Sequence, residues 1–120
     1  MKINKLKLIE LIDKKAKITF EAEPCNIPIK GNCSAIDEET DKKTEDWISA
    51  GLTFGDLNRW FTAKVTARYK TWEYSDYLGG CSYNSFADFT DEIDGYYTDM
   101  VKQAKAGLVN YILLERLFKD

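Results

Sequence analysis

The feature that most restricts the fold is segment 60–70, where apolar and polar residues alternate over the length of a full β-strand. Successive side chains of a strand point to opposite faces, so the alternation separates two sets of residues. One set is apolar (Phe61, Ala63, Val65, Ala67 and Tyr69), and the other is polar (Thr62, Lys64, Thr66, Arg68 and Lys70). Segment 60–70 therefore predicts a strand with one buried and one solvated face.

Further strands are predicted on both sides of this segment. Residues 73–78 have the aromatic content of a partner strand, which predicts an antiparallel hairpin turning near Thr71-Trp72. Gly79-Gly80 indicates a bulge or bend at the end of the partner strand. Upstream, residues 17–23 alternate in the same way until Pro24 ends the pattern.

Helical periodicity accounts for most of the remaining chain. Segment 4–15 predicts a short amphipathic helix with Leu6, Ile9 and either Ile12 or Leu8 facing inward. A second helix is predicted from a cap at Thr40 or Asp41 to about Ala50, closed by Gly51, with Trp47 and Ile48 inward. Ser85 is a candidate cap for a short helical segment. A long C-terminal helix is predicted over about 97–118, with an inward stripe of Met100, Val101, Ala104, Leu108, Tyr111 and Ile112.

These elements predict an α+β fold. A small antiparallel sheet with its hairpin at about 60–83 is packed by a long C-terminal helix and one or two short helices. A chain of 120 residues, 44% of them hydrophobic, has room for one hydrophobic core. We therefore expect a single domain over 1–120.

The composition argues against catalysis and cofactor binding. The sequence contains no histidine, which excludes Ser–His–Asp and Cys–His nucleophile arrangements and removes the usual general base near neutral pH. Three scattered cysteines without a C-x-x-C pair do not supply a zinc site and fit reduced thiols. We therefore expect a non-enzymatic protein with no cofactor and no metal.

The distribution of apolar residues predicts a soluble protein. No stretch approaches the roughly 18 apolar residues of a membrane span. At the N-terminus, Glu10 and Asp13 interrupt the only short apolar run, and no cleavage signal follows it. We expect no membrane contact and a cytoplasmic location.

Two stretches of opposite charge are candidate binding surfaces. Between Lys70 and Lys102 there is no Lys or Arg, while seven acidic residues are interleaved with aromatic rings. Spaced negative charge with flat rings can bind the basic groove of a protein that normally holds nucleic acid. The candidate contact residues are Asp76, Tyr77, Asp88, Asp91, Glu92 and Asp94. The structural alternative is that the rings are core and the acids solvate the surface.

The polar face of segment 60–70 is the basic candidate. Lys64, Arg68 and Lys70 could bind phosphates, as on the β-faces of single-strand binders, or form an ordinary solvated face. A third surface is the end of the C-terminal helix, which is apolar on more than one side. That end either packs within the fold or joins the chain into a homo-oligomer.

Three pieces of the sequence support a resemblance. They are residues 27–35, residues 60–67 continuing to the Gly-Gly-Cys-Ser-Tyr ending of 76–83, and residues 87–89 followed by 95–100. Over about residues 27–110 the chain resembles small proteins of undefined function encoded by phages, prophages and related mobile elements. The resemblance implies a mobile-element origin and the host cytoplasm, but it carries no activity with it.

The leading hypothesis combines this origin with the acidic–aromatic residues. Small acidic phage proteins include inhibitors of host defence, anti-CRISPR proteins among them, which is an analogy of size and origin. We expect an accessory protein that binds a host protein or nucleoprotein complex, such as a CRISPR–Cas complex, without catalysis. The alternatives are a nucleic-acid-binding module that uses the basic strand face and a structural protein that self-assembles.

Overall fold

The computed structural model describes residues 4–33 and 37–119, with side chains described up to Arg116. Its elements are α1 (Lys5–Lys15), β1 (Lys17–Pro24), α2 (Glu38–Thr53), a 3₁₀ turn (Leu57–Arg59), β2 (Phe61–Tyr69), β3 (Trp72–Cys81), α3 (Phe86–Thr90) and α4 (Tyr96–Lys119). The strands form an antiparallel sheet in the order β1-β2-β3, and α4 packs on it. The predicted α+β class is confirmed.

The chain divides into two compact units. Unit 1 comprises the described residues of 1–21, 64–77 and 92–120, and unit 2 those of 22–63 and 78–91. Each of the three strands contributes residues to both units. The expectation of one domain over 1–120 stays a prediction.

Helix α1 of unit 1 forms where predicted but faces another way. Asn4 caps it, its side-chain oxygen accepting the backbone N–H of Leu6 at 2.9 Å. Leu8 and Ile12 are buried, whereas Leu6 is 71% and Ile9 43% exposed. The inward placement of Leu6 and Ile9 was therefore wrong, because the i,i+4 pair of Leu8 and Ile12 occupies the buried face.

Helix α4 of unit 1 carries most of the predicted inward stripe. Met100, Ala104, Leu108 and Ile112 recur every four residues and are all buried. Tyr111 is 48% exposed, so its inward placement was wrong; Val109 is buried instead. Gly107 allows the ring of Tyr74 on β3 to lie on the helix, since a Cβ at this glycine would be 2.1 Å from Tyr74 Cε1.

The hairpin turns one residue earlier than predicted. Lys70 and Thr71 form the turn, and β3 already begins at Trp72. Lys70 adopts a φ of 56°, in the left-handed region that non-glycine residues rarely visit. The sequence contains no glycine or asparagine at this point, which is why the turn could not be placed from turn residues alone.

Helix α2 of unit 2 is longer than predicted at both ends. Asp37, and neither Thr40 nor Asp41, is the cap: its Oδ1 accepts the backbone N–H of Thr40 at 2.7 Å. The helix then continues through Gly51 to Thr53. Gly51 does not end the helix but makes room for a neighbour, because a Cβ there would lie 1.8 Å from Arg59 Cδ.

The predicted inward placement of Trp47 on α2 was wrong, because its ring packs against the guanidinium of Arg59. Ile48 is fully buried as expected, but Trp47 is 37% exposed. Its ring lies 4.4 Å from the Arg59 guanidinium carbon, and Arg59 Nη1 donates to the Trp47 carbonyl at 2.7 Å. This ring packs under a cation at the surface of the unit, a stable arrangement for an indole.

The core of unit 2 is a cluster of aromatic rings around Phe61. The Phe61 ring meets Phe86 at 5.2 Å and Phe89 at 5.8 Å, both edge to face, and Tyr83 at 6.4 Å. Tyr83 and Phe89 also contact each other at 5.0 Å. Edge-to-face pairs at these distances stabilise a core beyond the area that they bury. The short helix α3 that supplies two of these rings is capped by Ser85, as predicted, through a bond from Asp88 N–H at 3.1 Å.

Candidate functional site

The six acidic–aromatic candidates do not fall in one unit. Asp76, Tyr77, Glu92 and Asp94 belong to unit 1, whereas Asp88 and Asp91 belong to unit 2. Asp76 is half-buried, Tyr77 is 55% exposed, and the other four are exposed. All six side chains thus have solvent-accessible surface, and the unit boundary falls between Asp91 and Glu92.

In unit 1, residues 92–95 form a turn that leads into α4. Asp94 has a φ of 56°, and the carbonyl of Glu92 accepts the Thr98 hydroxyl at 3.4 Å. A Cβ at Gly95 would lie 2.5 Å from Glu92 Cδ, so the glycine leaves room for the Glu92 side chain. The turn leaves the Ile93 side chain 88% exposed, and Tyr96 follows at 63%. A large aliphatic side chain is therefore presented to solvent between carboxylates.

In unit 2, Asp88 and Asp91 mark the two ends of α3. Asp88 lies in the first turn, where a carboxylate complements the helix dipole. Asp91 follows the last residue, and its N–H donates to the Ala87 carbonyl at 2.8 Å. Both backbones are thus held by helix α3 while both carboxylates face solvent.

The three basic candidates on the hairpin lie in different environments. Lys64 is half-buried, and its ammonium lies 5.8 Å from the ring centre of Tyr77, a member of the acidic–aromatic set. Arg68 is exposed and its Nε donates to the carbonyl of Lys70 at 3.4 Å. Between them, Thr66 is buried and bonds to Ser75 at 2.7 Å. Arg68 and Lys70 are therefore joined by a hydrogen bond, whereas Lys64 lies near an aromatic ring.

Lys70 takes part in a cleft that the sequence did not suggest, here called the hairpin cleft. It lies in unit 1 with a volume of about 240 Å³. Its rim carries three cations from three elements, namely Lys7 of α1, Lys70 of the hairpin turn and Arg116 of α4. The rings of Tyr69 and Trp72 and the aliphatic side chains of Leu8, Leu11 and Ile112 complete the wall. These residues are far apart in sequence, so no local motif could have identified them.

A larger groove of about 470 Å³ also lies in unit 1, between α1 and α4. Its floor is apolar, and its rim mixes both signs of charge. Lys105 Nζ forms an ion pair with Asp13 at 2.9 Å, and Lys5, Glu10 and Lys102 line the same rim. This balance of charges selects no particular ligand.

The cysteines of unit 2 differ in their chemistry. Burial alone would raise the pKa of Cys25, but hydrogen bonds from the backbone of Ile27, the Thr62 hydroxyl and the Gly80 N–H outweigh it and lower the pKa. Burial raises the pKa of Cys81. Burial and the carboxylates of Glu45 and Asp41 raise the pKa of Cys33. Among the three, Cys25 is the thiol that most readily ionises.

We expect iodoacetamide to alkylate Cys25 before Cys33 and Cys81 near neutral pH, because the thiolate is the nucleophile. Replacing Thr62 by valine removes one donor to Cys25 and should shift the pH profile of its alkylation to higher pH. The rate at neutral pH then falls, and the rate well above the pKa stays the same. Peptide mass spectrometry over a pH series measures both; equal rates at all three cysteines would contradict the expectation.

Within residues 4–33 and 37–116, no three His, Cys, Asp or Glu side chains are grouped so that they could hold a metal ion. No helix in the described part of the chain is long and apolar enough to cross a membrane.

Comparison of the chain with protein-family models, with curated proteins and with solved structures gave no match.

Proposed function

We propose that this protein is a mobile-element accessory protein that acts without catalysis, by stoichiometric binding to a host protein or nucleoprotein complex. In this proposal it inhibits a nucleic-acid-targeting defence complex, such as a CRISPR–Cas complex, by occupying a basic groove. The proposal rests on one observation. In unit 1, Ile93 and Tyr96 are 88% and 63% exposed and share a short segment with the exposed residues Glu92 and Asp94, which Asp91 precedes in the sequence.

The physical argument concerns what such a segment gains by binding. An aliphatic side chain held in water contributes nothing to folding, but it can be buried against a partner. The surrounding carboxylates steer the segment towards positive charge and penalise acidic partners. The bond from the Thr98 hydroxyl to the Glu92 carbonyl closes the turn before binding, which reduces the entropy lost in the complex.

The charge pattern favours a partner that normally binds nucleic acid. No Lys or Arg occurs between Lys70 and Lys102, so nothing in that part of the sequence opposes a basic groove. A nucleic acid presents spaced negative charges and flat stacking surfaces to such a groove. Spaced carboxylates together with an apolar side chain and a ring present the same two features. The resemblance to phage and prophage proteins agrees with this proposal.

The test is an affinity pull-down of the tagged protein from host lysate, with and without nuclease, followed by binding measurements on the captured complex. The double variant Asp91→Lys/Glu92→Lys should weaken binding on the order of tenfold or more, through lost steering and like-charge repulsion. Ile93→Ser should also weaken it, since that side chain is exposed in the free protein. The captured complex should lose its activity on nucleic acid when the protein is bound.

The matched control is Glu39→Lys/Asp46→Lys, which makes the same change of charge at exposed positions of α2. Circular dichroism should show that all variants remain folded. Equal weakening by the control would mean that net charge alone drives the association. Unchanged affinity of the 91/92 variant would remove this segment from the proposal.

A further inference from the structure

The hairpin cleft differs from the rest of unit 1 in its charge. Three cations line it, and none of the described residues in its wall is acidic. The carboxylate of Glu115 contacts one wall residue from outside the lining: its Oε2 accepts the Trp72 indole N–H at 2.6 Å. Three like charges brought together from α1, the hairpin turn and α4 repel one another, so an anion placed among them is stabilised.

The two rings of the cleft are held in defined positions. The bond to Glu115 fixes one edge of Trp72, and the Arg116 guanidinium lies 5.9 Å from the centre of that ring. The Lys70 ammonium lies 5.4 Å from the centre of the Tyr69 ring. Each ring therefore has a cation close to its face or edge, the combination that binds a flat group carrying negative charge.

The size of the cleft restricts the ligand further. At about 240 Å³ it is smaller than the roughly 300–1,000 Å³ of pockets that enclose a drug-sized molecule. It can take one planar base, with a phosphate held by the cations at its rim and the rest of the ligand outside. The bases of a double helix are stacked and paired, so none of them can enter the cleft.

From these observations we propose that the hairpin cleft binds one nucleotide unit, its phosphate on Lys7, Lys70 and Arg116 and its base against Trp72. The guanidinium of Arg116 can donate two parallel hydrogen bonds to phosphate oxygens, and the two ammonium groups add charge. The aliphatic side chains of Leu8, Leu11 and Ile112 shield the edge of the base from water. The same chemistry is offered by a free nucleoside monophosphate and by a nucleotide within a single strand.

This site is independent of the proposed function. It shares no residue with the acidic–aromatic candidates, and of the three basic residues noted in the sequence only Lys70 lines it. Failure of one proposal therefore leaves the other in place.

Binding of two probes is measured at low salt. Equilibrium dialysis follows radiolabelled AMP, and fluorescence anisotropy follows a labelled ten-residue oligo(dT). Saturable binding is expected, with the affinity reduced about tenfold or more in Lys7→Gln/Arg116→Gln. For the oligonucleotide, the slope of log K against log salt should fall by about 0.7 for each phosphate contact removed. The control Lys102→Gln removes another exposed cation of α4, outside the cleft, and should bind as wild type.

Each outcome decides the proposal. Binding of AMP alone supports a free nucleotide as the ligand, and tighter binding of the oligonucleotide supports a single strand. Adenosine without its phosphate should not bind, and inorganic phosphate should compete only weakly. The proposal is overturned if neither probe binds, if Lys102→Gln weakens binding as much as the double variant, or if inorganic phosphate competes as well as AMP.

Discussion

Replacing Phe61 by alanine should lower the free energy of unfolding by about 3–5 kcal/mol, as for other buried aromatic residues. Phe61 is fully buried and contacts Phe86, Phe89 and Tyr83, so its loss leaves a cavity lined by three rings. The neighbouring rings cannot all move into that space, because hydrogen bonds restrain the backbone that carries them. Asn58 bonds to the carbonyl of Tyr83, and Ser85 caps the helix that carries Phe86 and Phe89. Urea unfolding followed by circular dichroism measures the change.

Phe54 provides the matched control for Phe61, since it is the same residue type in the same unit but 85% exposed. Phe54→Ala should change the free energy of unfolding by no more than about 0.5 kcal/mol. Its backbone N–H, which bonds to the end of α2, remains in the variant. If Phe61→Ala costs less than about 1 kcal/mol, the aromatic cluster is not the core of unit 2.

Replacing Leu108 by alanine should lower the free energy of unfolding by about 2–5 kcal/mol. Leu108 is fully buried at the middle of the α4 stripe, between Ala104 and Ile112. Gly107, next to it, already carries the ring of Tyr74, so the helix cannot shift towards the sheet to fill the cavity. The same urea titration measures the loss.

Leu114 lies on the same helix and is 55% exposed, which makes Leu114→Ala the control for Leu108→Ala. It should cost about 1 kcal/mol or less, because little buried surface is lost. If both leucine variants lose the same stability, Leu114 is covered in solution, as in the self-assembly alternative. Light scattering on the wild type would then identify the oligomer.

The two proposed sites place opposite charges on one chain of net charge −3. The segment at Asp91–Asp94 is suited to a basic protein surface, and the hairpin cleft to one nucleotide. A protein with both could bind a nucleoprotein complex through its protein and its nucleic acid together. A double-variant cycle on the binding affinity would separate the two contributions. It compares Asp91→Lys/Glu92→Lys, Lys7→Gln/Arg116→Gln and the combination of both.

The fold class was predictable because its signals are local. The alternation of 61–69 correctly predicts the buried residues Phe61, Ala63, Val65 and Ala67 of β2, and the four-residue spacing of Met100, Ala104, Leu108 and Ile112 predicts the buried face of α4. The expected solvated face of β2 was wrong at Thr66, which is buried against Ser75 of β3. Ser85 could be recognised as a cap because capping depends on residues only three positions apart. Periodicity and capping depend on residues within one or two helical turns of each other, so both can be recognised in the sequence.

The candidate sites were predictable only in part. The exposed acidic candidates stand in consecutive or nearby positions, so the sequence could propose them, but their assignment to two units follows from the fold. The hairpin cleft could not be proposed, because Lys7, Lys70 and Arg116 come from three distant segments. No signal in any one of those segments distinguishes these cations from ordinary surface residues.

The sequence by itself determined the kind of fold, the order of its elements, the buried face of β2 and most of the α4 stripe. Only the tertiary structure decided that Leu8 and Ile12, and not Leu6 and Ile9, face inward on α1. It likewise decided that Gly51 accommodates Arg59 and does not end α2. The physical reason is the same in each case: periodicity limits which faces an element can bury, but the partner that covers a face is brought there by residues distant in the chain.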